Sequence, residues 1–195
     1  MIKNNSKIKL GLLNYQETKL LPMKKVGIFY GPQGGSTERV AQKIAKAFGE
    51  SNCDLILVKN AGKADVEKYD NVVFGLSTIG KETWSATNPS NDWDNFLPQI
   101  ESINFSGKAV AIFGLGDHIT YDLHFCDAMG TLGEALLSKG VDPKGRVSTD
   151  MYEFRESKAV FDGKFIGLPI DEDFDADETD NRVTKWVSEL KKEFK

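Results

Sequence analysis

The chain has 195 residues, of which 40% are hydrophobic and 28% charged, a composition typical of one folded globular domain and not of a disordered or fibrous chain. It contains no run of about 18 apolar residues that would predict a membrane-spanning helix. Its two cysteines are far apart and form no CxxC, and with only two histidines beside them the sequence disfavours a zinc site, which needs about four clustered ligands. The net charge of the chain is −4, but residues 1–25 contain six Lys and one Glu, so residues 26–195 carry a net charge of −9. This acidic charge disfavours nucleic acid as a partner.

Residues 1–22 do not resemble a folded element. Their apolar stretch, residues 8–13, is interrupted by Lys9 and Gly11, whereas a signal peptide needs about 7–15 continuous apolar residues. We therefore expect a disordered leader over 1–22 and one folded domain over 23–195, with a targeting role for the leader as the alternative. The two cysteines are far apart in sequence and suit a reducing, cytoplasmic location.

Short apolar runs alternate with helical patterns through the rest of the chain. The first helix is predicted over 36–48, with Ser36 or Thr37 as its N-cap and Gly49 as its stop. A loop is predicted between the second and third strands, and a further helix between the third and fourth. The predicted strands cover residues 25–30, 54–58, 72–76, 108–113 (ended by Gly114) and 145–149. Another helix is predicted over 127–137, and a last helix carries Val183, Trp186, Val187, Leu190 and Phe194 on one face.

Alternating strands and helices predict a parallel sheet, because parallel strands need long crossover connections. The strands are continuous apolar runs, as expected when helices cover both faces. The sequence therefore predicts a doubly wound α/β domain, with a five-stranded parallel sheet between two layers of helices. Ligands of such folds bind beyond the carboxyl ends of the strands, where the strand order reverses. The informative segments are therefore residues 31–37, 77–93, 114–122 and 149–168.

The turn of residues 31–37, which reads G-P-Q-G-G-S-T, joins the first strand to the first helix. Its backbone N–H groups and the helix N-terminus favour an anion, and Gly34 and Gly35 permit close approach of a ligand. No Lys or Arg lies within the turn, so a terminal phosphate is expected to be held by dipoles and not by a cation. The Walker A and Rossmann glycine patterns are both absent. A plain strand-to-helix turn is the alternative.

Two longer runs are more specific. Residues 113–130, FGLGDHITYDLHFCDAMG, have the pattern G-x-G-D-x-x-x-Y-x-x-x-F-x-D-A-M-G. Residues 148–168, STDMYEFRESKAVFDGKFIGL, contain Y-x-F-x-E-S-K-A-V and G-K-F-x-G-L. Together with RVTKWVSELKKEF at 182–194, these runs resemble the long-chain flavodoxins, and the resemblance covers residues 23–195. It implies a flavodoxin-like fold whose fifth strand is split by an insert at about 150–168.

The resemblance implies one non-covalently bound FMN and a low-potential single-electron carrier without substrate turnover of its own. The turn of residues 31–37 would hold the FMN phosphate, Tyr121 would stack on one flavin face, and Asp117 would lie near the pyrimidine edge. The segment after the third strand would cover the other face, with Gly80 as a flexible peptide beside flavin N5. The implied cofactor-binding residues are Gln33, Gly34, Gly35, Ser36, Thr37, Ser77, Thr78, Ile79, Gly80, Trp84, Gly114, Leu115, Gly116, Asp117, Tyr121 and Asp150.

The implied partners are redox proteins, namely flavodoxin-reductase-type donors and acceptor enzymes, and the chain is expected to be a monomer that contacts neither nucleic acid nor membrane. Its acidic surface opposes further negative charge on the flavin and so lowers the potential, although salt screens charges beyond about 8–10 Å. The acidic stretch 171–180 is interpreted either as a docking face for basic partners or as a solvated face at the entry of the last helix.

The phosphate turn departs from the family pattern, which resembles T-x-T-G-x-T. Pro32 and Gly34 replace two of the three threonines, and Pro32 has no N–H to donate. Each lost hydrogen bond to a charged group is worth about 1.5–3 kcal/mol. The four N–H groups and two hydroxyls of residues 34–37 remain, so we expect phosphate binding to persist.

The segment after the third strand departs further. Family members carry P-T-W-N-x-G there, whereas this chain has S-T-I-G-K at residues 77–81, followed by a longer loop. Trp84 within that loop is a candidate to stack on the flavin in place of the missing tryptophan. The alternative is that Trp84 anchors the loop and Ile79 packs on the ring.

Two histidines also differ from the family, since His118 and His124 replace its usual Gln and Asn. A histidine near the flavin would make the reduction potential pH-dependent. The alternative is a partly exposed loop histidine without a redox role.

Two other functions remain open. The altered loop at 77–93 permits an FMN-dependent quinone or flavin reductase of the same fold. Pro32, Gly34 and Ile79 permit a binding module that kept the fold but lost FMN.

Overall fold

The computed structural model describes residues 23–78 and 92–195, so the leader predicted over 1–22 lies outside the described residues. No helix within these ranges is both long and apolar enough to cross a bilayer. The strands are β1 (Val26–Tyr30), β2 (Cys53–Leu57), β3 (Asn71–Ser77), β4 (Ala109–Leu115), β5 (Val147–Ser148), β6 (Val160–Phe161), β7 (Lys164–Phe165) and β8 (Leu168–Ile170). The α-helices are α1 (Ser36–Phe48), α2 (Lys63–Glu67), α3 (Asp92–Ile100), α4 (Asp127–Ser138) and α5 (Thr179–Glu193).

Five strands form one parallel sheet in the order β2-β1-β3-β4-β8. From β1 the chain moves outward to β2 and then returns to the other side of β1 to form β3, so the strand order reverses between β1 and β3. This is the doubly wound topology predicted from the sequence, and ligands of such folds bind where the order reverses. The backbone at this point is tied by a hydrogen bond of 3.1 Å from the Gly31 N–H to the Gly75 carbonyl.

Helices cover both faces of the sheet. Ile28 of β1 packs in a core with α1 and α5, whereas its neighbour Phe29 packs in a second core with α3 and α4. Successive residues of a strand point to opposite faces, so one apolar run supplies both cores. Burying each large apolar side chain stabilises the fold by about 1.5–3 kcal/mol. A core on each face of the sheet, covered by helices, gives the predicted three-layer arrangement.

The predicted fifth strand, residues 145–149, is largely wrong. Only β5 lies within it, and β5 pairs antiparallel with β7 in a separate sheet of order β5-β7-β6. The fifth position of the central sheet is split between a single parallel bridge at Lys144 and the later strand β8. The chain leaves the sheet at Gly145, which has a φ of +71° and whose carbonyl accepts the Trp186 indole N–H at 2.7 Å. An insert at 150–168 therefore divides this strand, as the resemblance implied.

Two other elements differ from the predictions. Helix α2 replaces a predicted loop, because a five-residue helix with Val66 as its buried residue is too short to show helical periodicity. Strand β4 continues through Gly114, which was predicted to end it, since Gly114 and Leu115 pair with both β3 and β8. Helix α5, Thr179–Glu193, begins within the acidic stretch 171–180, which the sequence places at the entry of the last helix.

Candidate functional site

The loops that follow the central strands meet at one edge of the sheet, because all five strands are parallel. Lys59, in the 3-10 helix Val58–Asn60 after β2, donates to Oε1 of Gln33 in the turn after β1 at 3.0 Å. The N–H of Thr78, after β3, donates to the Leu115 carbonyl at the end of β4 at 3.0 Å. These contacts connect neighbouring loops along the edge where the sequence predicts the ligand.

In the turn of residues 31–37 the chain passes from β1 to α1 through Gly34 and Gly35. Gly34 has a φ of +83°, in the left-handed region that favours glycine, and a Cβ added to either glycine would meet no described atom within 4 Å. The predicted N-cap at Ser36 or Thr37 is wrong, because Gly35 is the N-cap and both residues are already helical. They contribute N–H groups of the first helical turn, which have no acceptor inside the helix.

This turn already directs one N–H at an anionic oxygen. The Gly34 N–H donates to Oε2 of Glu38 at 2.7 Å, and Oε1 of the same carboxylate accepts the Tyr30 hydroxyl at 3.0 Å. Burial, and to a lesser extent the Glu38 carboxylate, raise the pKa of Tyr30 to about 12. The tyrosine therefore stays a hydrogen-bond donor at neutral pH. The turn therefore presents the donors that an anion such as a terminal phosphate requires.

Two cations flank the turn. Arg39 Nη2 donates to Ser36 Oγ at 2.6 Å, and Lys59 Nζ donates to Gln33 Oε1 at 3.0 Å. The prediction of a site held by dipoles alone did not include these two cations, and it stays a prediction. It considered only residues 31–37, whereas Arg39 reaches back from the first turn of α1 and Lys59 comes from the 3-10 helix that follows β2.

Asp117 shapes the loop after β4. Its Oδ1 accepts the N–H of Ile119 at 2.9 Å and that of Thr120 at 2.6 Å, and its carbonyl accepts the Tyr121 N–H at 3.2 Å. The buried carboxylate thus holds two successive residues, and the backbone carbonyl of Asp117 holds the third, in a tight turn. Asp117 therefore acts on this loop as a structural acceptor, and a position near a ligand's ring edge stays a prediction.

Replacing Asp117 by alanine should lower the free energy of unfolding by about 2 kcal/mol, because two N–H groups lose a charged acceptor. Asp117→Asn is the matched control, since it keeps an oxygen at the same position and should lose less than about 1 kcal/mol. Urea unfolding followed by circular dichroism measures both. Equal stability of the two variants would contradict the role given to this oxygen.

The residues before Asp117 act through close packing. Gly114 and Leu115 lie within β4, and the Leu115 side chain belongs to the core under α1 and α5. A Cβ on Gly114 would lie 2.7 Å from the Met129 Cβ, and one on Gly116 would lie 2.7 Å from the Cys126 backbone N. Gly114, Leu115 and Gly116 therefore position the loop by packing against the residues beneath it in the core.

The segment after β3 is described only as far as Thr78. Ser77 ends β3, and Thr78 Oγ1 accepts the Ala128 N–H at the start of α4 at 3.2 Å. This segment is thereby attached to the helix that follows the 117–121 turn. The remaining predicted residues of this segment, Ile79, Gly80 and Trp84, lie outside the described residues.

Comparison with known proteins decides the family. The flavodoxin family model matches residues 28–186. The chain belongs to the flavodoxin family. A flavodoxin from Synechococcus elongatus is 43% identical over 173 residues, which are 88% of this chain and 99% of the relative. Flavodoxin 1 from Azotobacter vinelandii is 39% identical over 176 residues, which are 88% of this chain and 98% of the relative.

Comparison of structures agrees with the sequence relatives. The crystal structure of the Fusobacterium nucleatum flavodoxin bound to flavin mononucleotide has a TM-score of 0.77 and 31% sequence identity, over 89% of this chain and 100% of that chain. The resemblance found in the sequence and the flavodoxin-like fold predicted from it are therefore confirmed.

This flavodoxin exposes several large apolar side chains near the ligand edge, which is the edge of the sheet where the loops after the central strands meet. Tyr121 is 43% exposed, and Ile119, Leu123 and Phe174 are exposed to a similar or greater degree. The Tyr121 ring is therefore accessible for the stacking role that the resemblance implies, which stays a prediction. Exposed apolar groups near a ligand edge also favour contact with other proteins.

His118 is buried, which contradicts its interpretation as a partly exposed loop residue. Its Nδ1 lies 2.5 Å from Oδ2 of Asp171, and its backbone N–H donates to the same oxygen at 3.0 Å. The other oxygen of Asp171 accepts the N–H groups of Asp173 and Phe174. Burial by itself raises the pKa of Asp171, but these hydrogen bonds outweigh it and the pKa is lowered. Asp171 is thus a buried acceptor and not part of a solvated acidic face.

Two predicted residues lie toward the insert. Asp150 is exposed in the 3-10 helix Thr149–Met151, and its carboxylate accepts the Ser148 hydroxyl at 2.8 Å. Its part in cofactor binding stays a prediction. His124 Nδ1 lies 3.0 Å from Asp127, the first residue of α4, with the imidazole about half exposed.

Four polar residues of the site were missed from the sequence. Glu38 and Arg39 lie within one helical turn of Gly34 and Ser36, so helical spacing would have indicated them. Lys59 and Asp171 come from segments after other strands, and no local pattern points to their partners.

Proposed function

We infer that this chain is an FMN-dependent single-electron carrier that passes electrons between redox proteins. Support comes from the flavodoxin family membership over most of the chain and from the Fusobacterium nucleatum relative, which is bound to flavin mononucleotide. The observation that carries the proposal is the Gly34 N–H directed at a carboxylate oxygen, at the point where the strand order reverses. An FMN phosphate is likewise an anion whose oxygens accept hydrogen bonds.

The described residues fit such a cofactor. Gly34 and Gly35 leave open space beside the turn, and the first N–H groups of α1 supply donors for a phosphate. Asp117 holds the turn that presents Tyr121, whose accessible ring is suited to a flat aromatic ligand. When bound, FMN supplies the one-electron chemistry, and the protein holds, orients and shields it.

The finer functional assignments are also proposals. We propose redox partners of the reductase type on one side and acceptor enzymes on the other, a cytoplasmic location and a monomeric state. The exposed apolar side chains around Tyr121 and the acidic charge of residues 26–195 support contact with basic partner proteins. The same acidic charge supports a low reduction potential, because it opposes further negative charge on the flavin.

Titration of the flavin-free full chain with FMN tests the proposal. We expect one FMN per chain, followed by build-up of a one-electron-reduced spectrum during stepwise reduction. Oxidation of NAD(P)H by the loaded protein alone would instead indicate a quinone or flavin reductase. A folded protein that fails to bind FMN would be a binding module, and the electron-carrier proposal would be wrong.

A further inference from the structure

The two cations beside the turn of residues 31–37 have no counterpart in the dipole-only site that the sequence predicts. We propose that Arg39 and Lys59 bind the phosphate of FMN together with the backbone, so that cofactor capture by this chain depends on cationic side chains. This inference rests on the proposed function.

Arg39 reaches the turn from the first turn of α1. Its Nη2 donates to Ser36 Oγ at 2.6 Å and lies 3.5 Å from a carboxylate oxygen of Glu172. The side chain is 57% exposed, whereas that of Glu172 is largely buried. A guanidinium has five N–H donors, so these contacts leave donors for a phosphate at Ser36.

Lys59 reaches the other end of the same turn. It belongs to the 3-10 helix that follows β2, and β2 is the sheet neighbour of β1. Its Nζ donates to Gln33 Oε1 at 3.0 Å. An ammonium group has three donors, and the contact with Gln33 uses one of them. The cations therefore flank the four residues from Gln33 to Ser36.

The charges around the turn explain why cations are needed. Pro32 has no N–H, and Gly34 has no hydroxyl. The Glu38 carboxylate, 2.7 Å from the Gly34 N–H, is a negative charge where a phosphate is to bind. A phosphate monoester itself carries about −1.5 to −2 at pH 7. Arg39 and Lys59 offset the repulsion between Glu38 and the incoming phosphate.

Binding of FMN and of riboflavin by the flavin-free full chain separates this role from a structural one, because riboflavin lacks the phosphate. The variants are Arg39→Gln, Lys59→Gln and the double change. Lys43→Gln is the matched control, since Lys43 lies one turn further along α1 and pairs with Asp180. Quenching of flavin fluorescence gives both dissociation constants, and urea unfolding checks that each variant is folded.

We expect each single variant to bind FMN about two- to fivefold more weakly, and the double variant about tenfold, with riboflavin binding unchanged. Lys43→Gln should bind both flavins like wild type, and Arg39→Lys should retain most of the preference for FMN. Raising the salt concentration from about 0.01 M to about 0.1 M should weaken FMN binding more in wild type than in the double variant, because screening removes the same attraction.

Three outcomes would overturn the inference. Equal loss of FMN and riboflavin binding would show that Arg39 and Lys59 only shape the loop. FMN affinities equal to wild type would show that the phosphate does not sense these cations, while the proposed function would still stand. Failure of the wild-type chain to bind either flavin would instead refute the proposed function itself, and this inference with it.

Discussion

Replacing Asp171 by asparagine is expected to lower the free energy of unfolding by about 3 kcal/mol at neutral pH. The carboxylate has no exposed surface, and its Oδ2 accepts the His118 N–H and lies 2.5 Å from the imidazole Nδ1. An asparagine can still accept the N–H groups of Asp173 and Phe174 through its oxygen. Its amide nitrogen would then face the donors of His118, and at least one buried N–H would lose its acceptor.

The effect should depend on pH. Although burial raises the pKa of Asp171, the hydrogen bonds that it accepts bring the pKa below its ordinary value. A carboxyl group with a lowered folded-state pKa stabilises the fold above the unfolded pKa of about 3.9, and this stabilisation is lost as the pH falls through the folded pKa. The stability difference between wild type and Asp171→Asn should therefore be largest above about pH 5 and shrink below about pH 4.

Asp173→Asn provides the control. Burial and the nearby carboxylates of Asp171, Asp117 and Glu172 raise the pKa of Asp173, so its charge is unfavourable in the folded state. Removing that charge should be neutral or slightly stabilising at pH 7. Urea unfolding of both variants over a pH series measures the difference. Equal effects of the two changes at pH 7 would contradict the assignment of Asp171 as the structural acceptor.

Gly130→Ala is expected to destabilise the fold by about 3 kcal/mol. A Cβ at this position of α4 would lie 2.2 Å from the carbonyl carbon of Lys158 and 2.6 Å from the N of Ala159, which are backbone atoms of the insert. Backbone cannot move aside as a side chain can, so the insert must shift away from α4.

Gly133→Ala on the same helix is the matched control. Its Cβ would meet the Ile166 side chain at 3.0 Å, and a side chain can adjust. Replacing glycine by alanine within a helix gains up to about 1 kcal/mol, which offsets that contact, so the net change should stay within about 1 kcal/mol. If urea unfolding gives the same stability for both variants, the insert does not pack on α4 as closely as the structure shows.

The Gly130 change should also affect the ligand edge. The insert is attached to the loop after β4 by the Arg155 and Glu156 N–H groups, which both donate to the Asp122 carbonyl at 2.9 Å. The two Arg155–Asp122 side-chain hydrogen bonds add to this attachment. A shifted insert therefore displaces the loop that carries Tyr121, and FMN should bind more weakly to Gly130→Ala than to Gly133→Ala.

The sequence by itself determined the four main strands, the helices α1 and α4, and the edge of the sheet at which the candidate site is predicted. These features depend on local patterns, since a buried strand must be continuously apolar and a helix must repeat its apolar residues every three or four positions. The glycines between β1 and α1 indicated an anion-binding turn, and this signal is local as well. The family motifs at 113–130 and 148–168 added the cofactor that the comparisons with flavodoxins support.

Only the tertiary structure decided the split fifth strand, the burial of Asp171 and the charges around the turn. Lys144 and β8 occupy one sheet position although 23 residues separate Lys144 from Leu168, and short segments carry no periodicity that reveals this. Lys59 and Asp171 obtain their partners from segments distant in sequence, because parallel strands bring the loops after them to one edge. The net charge around the turn of residues 31–37 depends on side chains that the fold brings near it. The sequence of that turn alone therefore could not indicate Lys59.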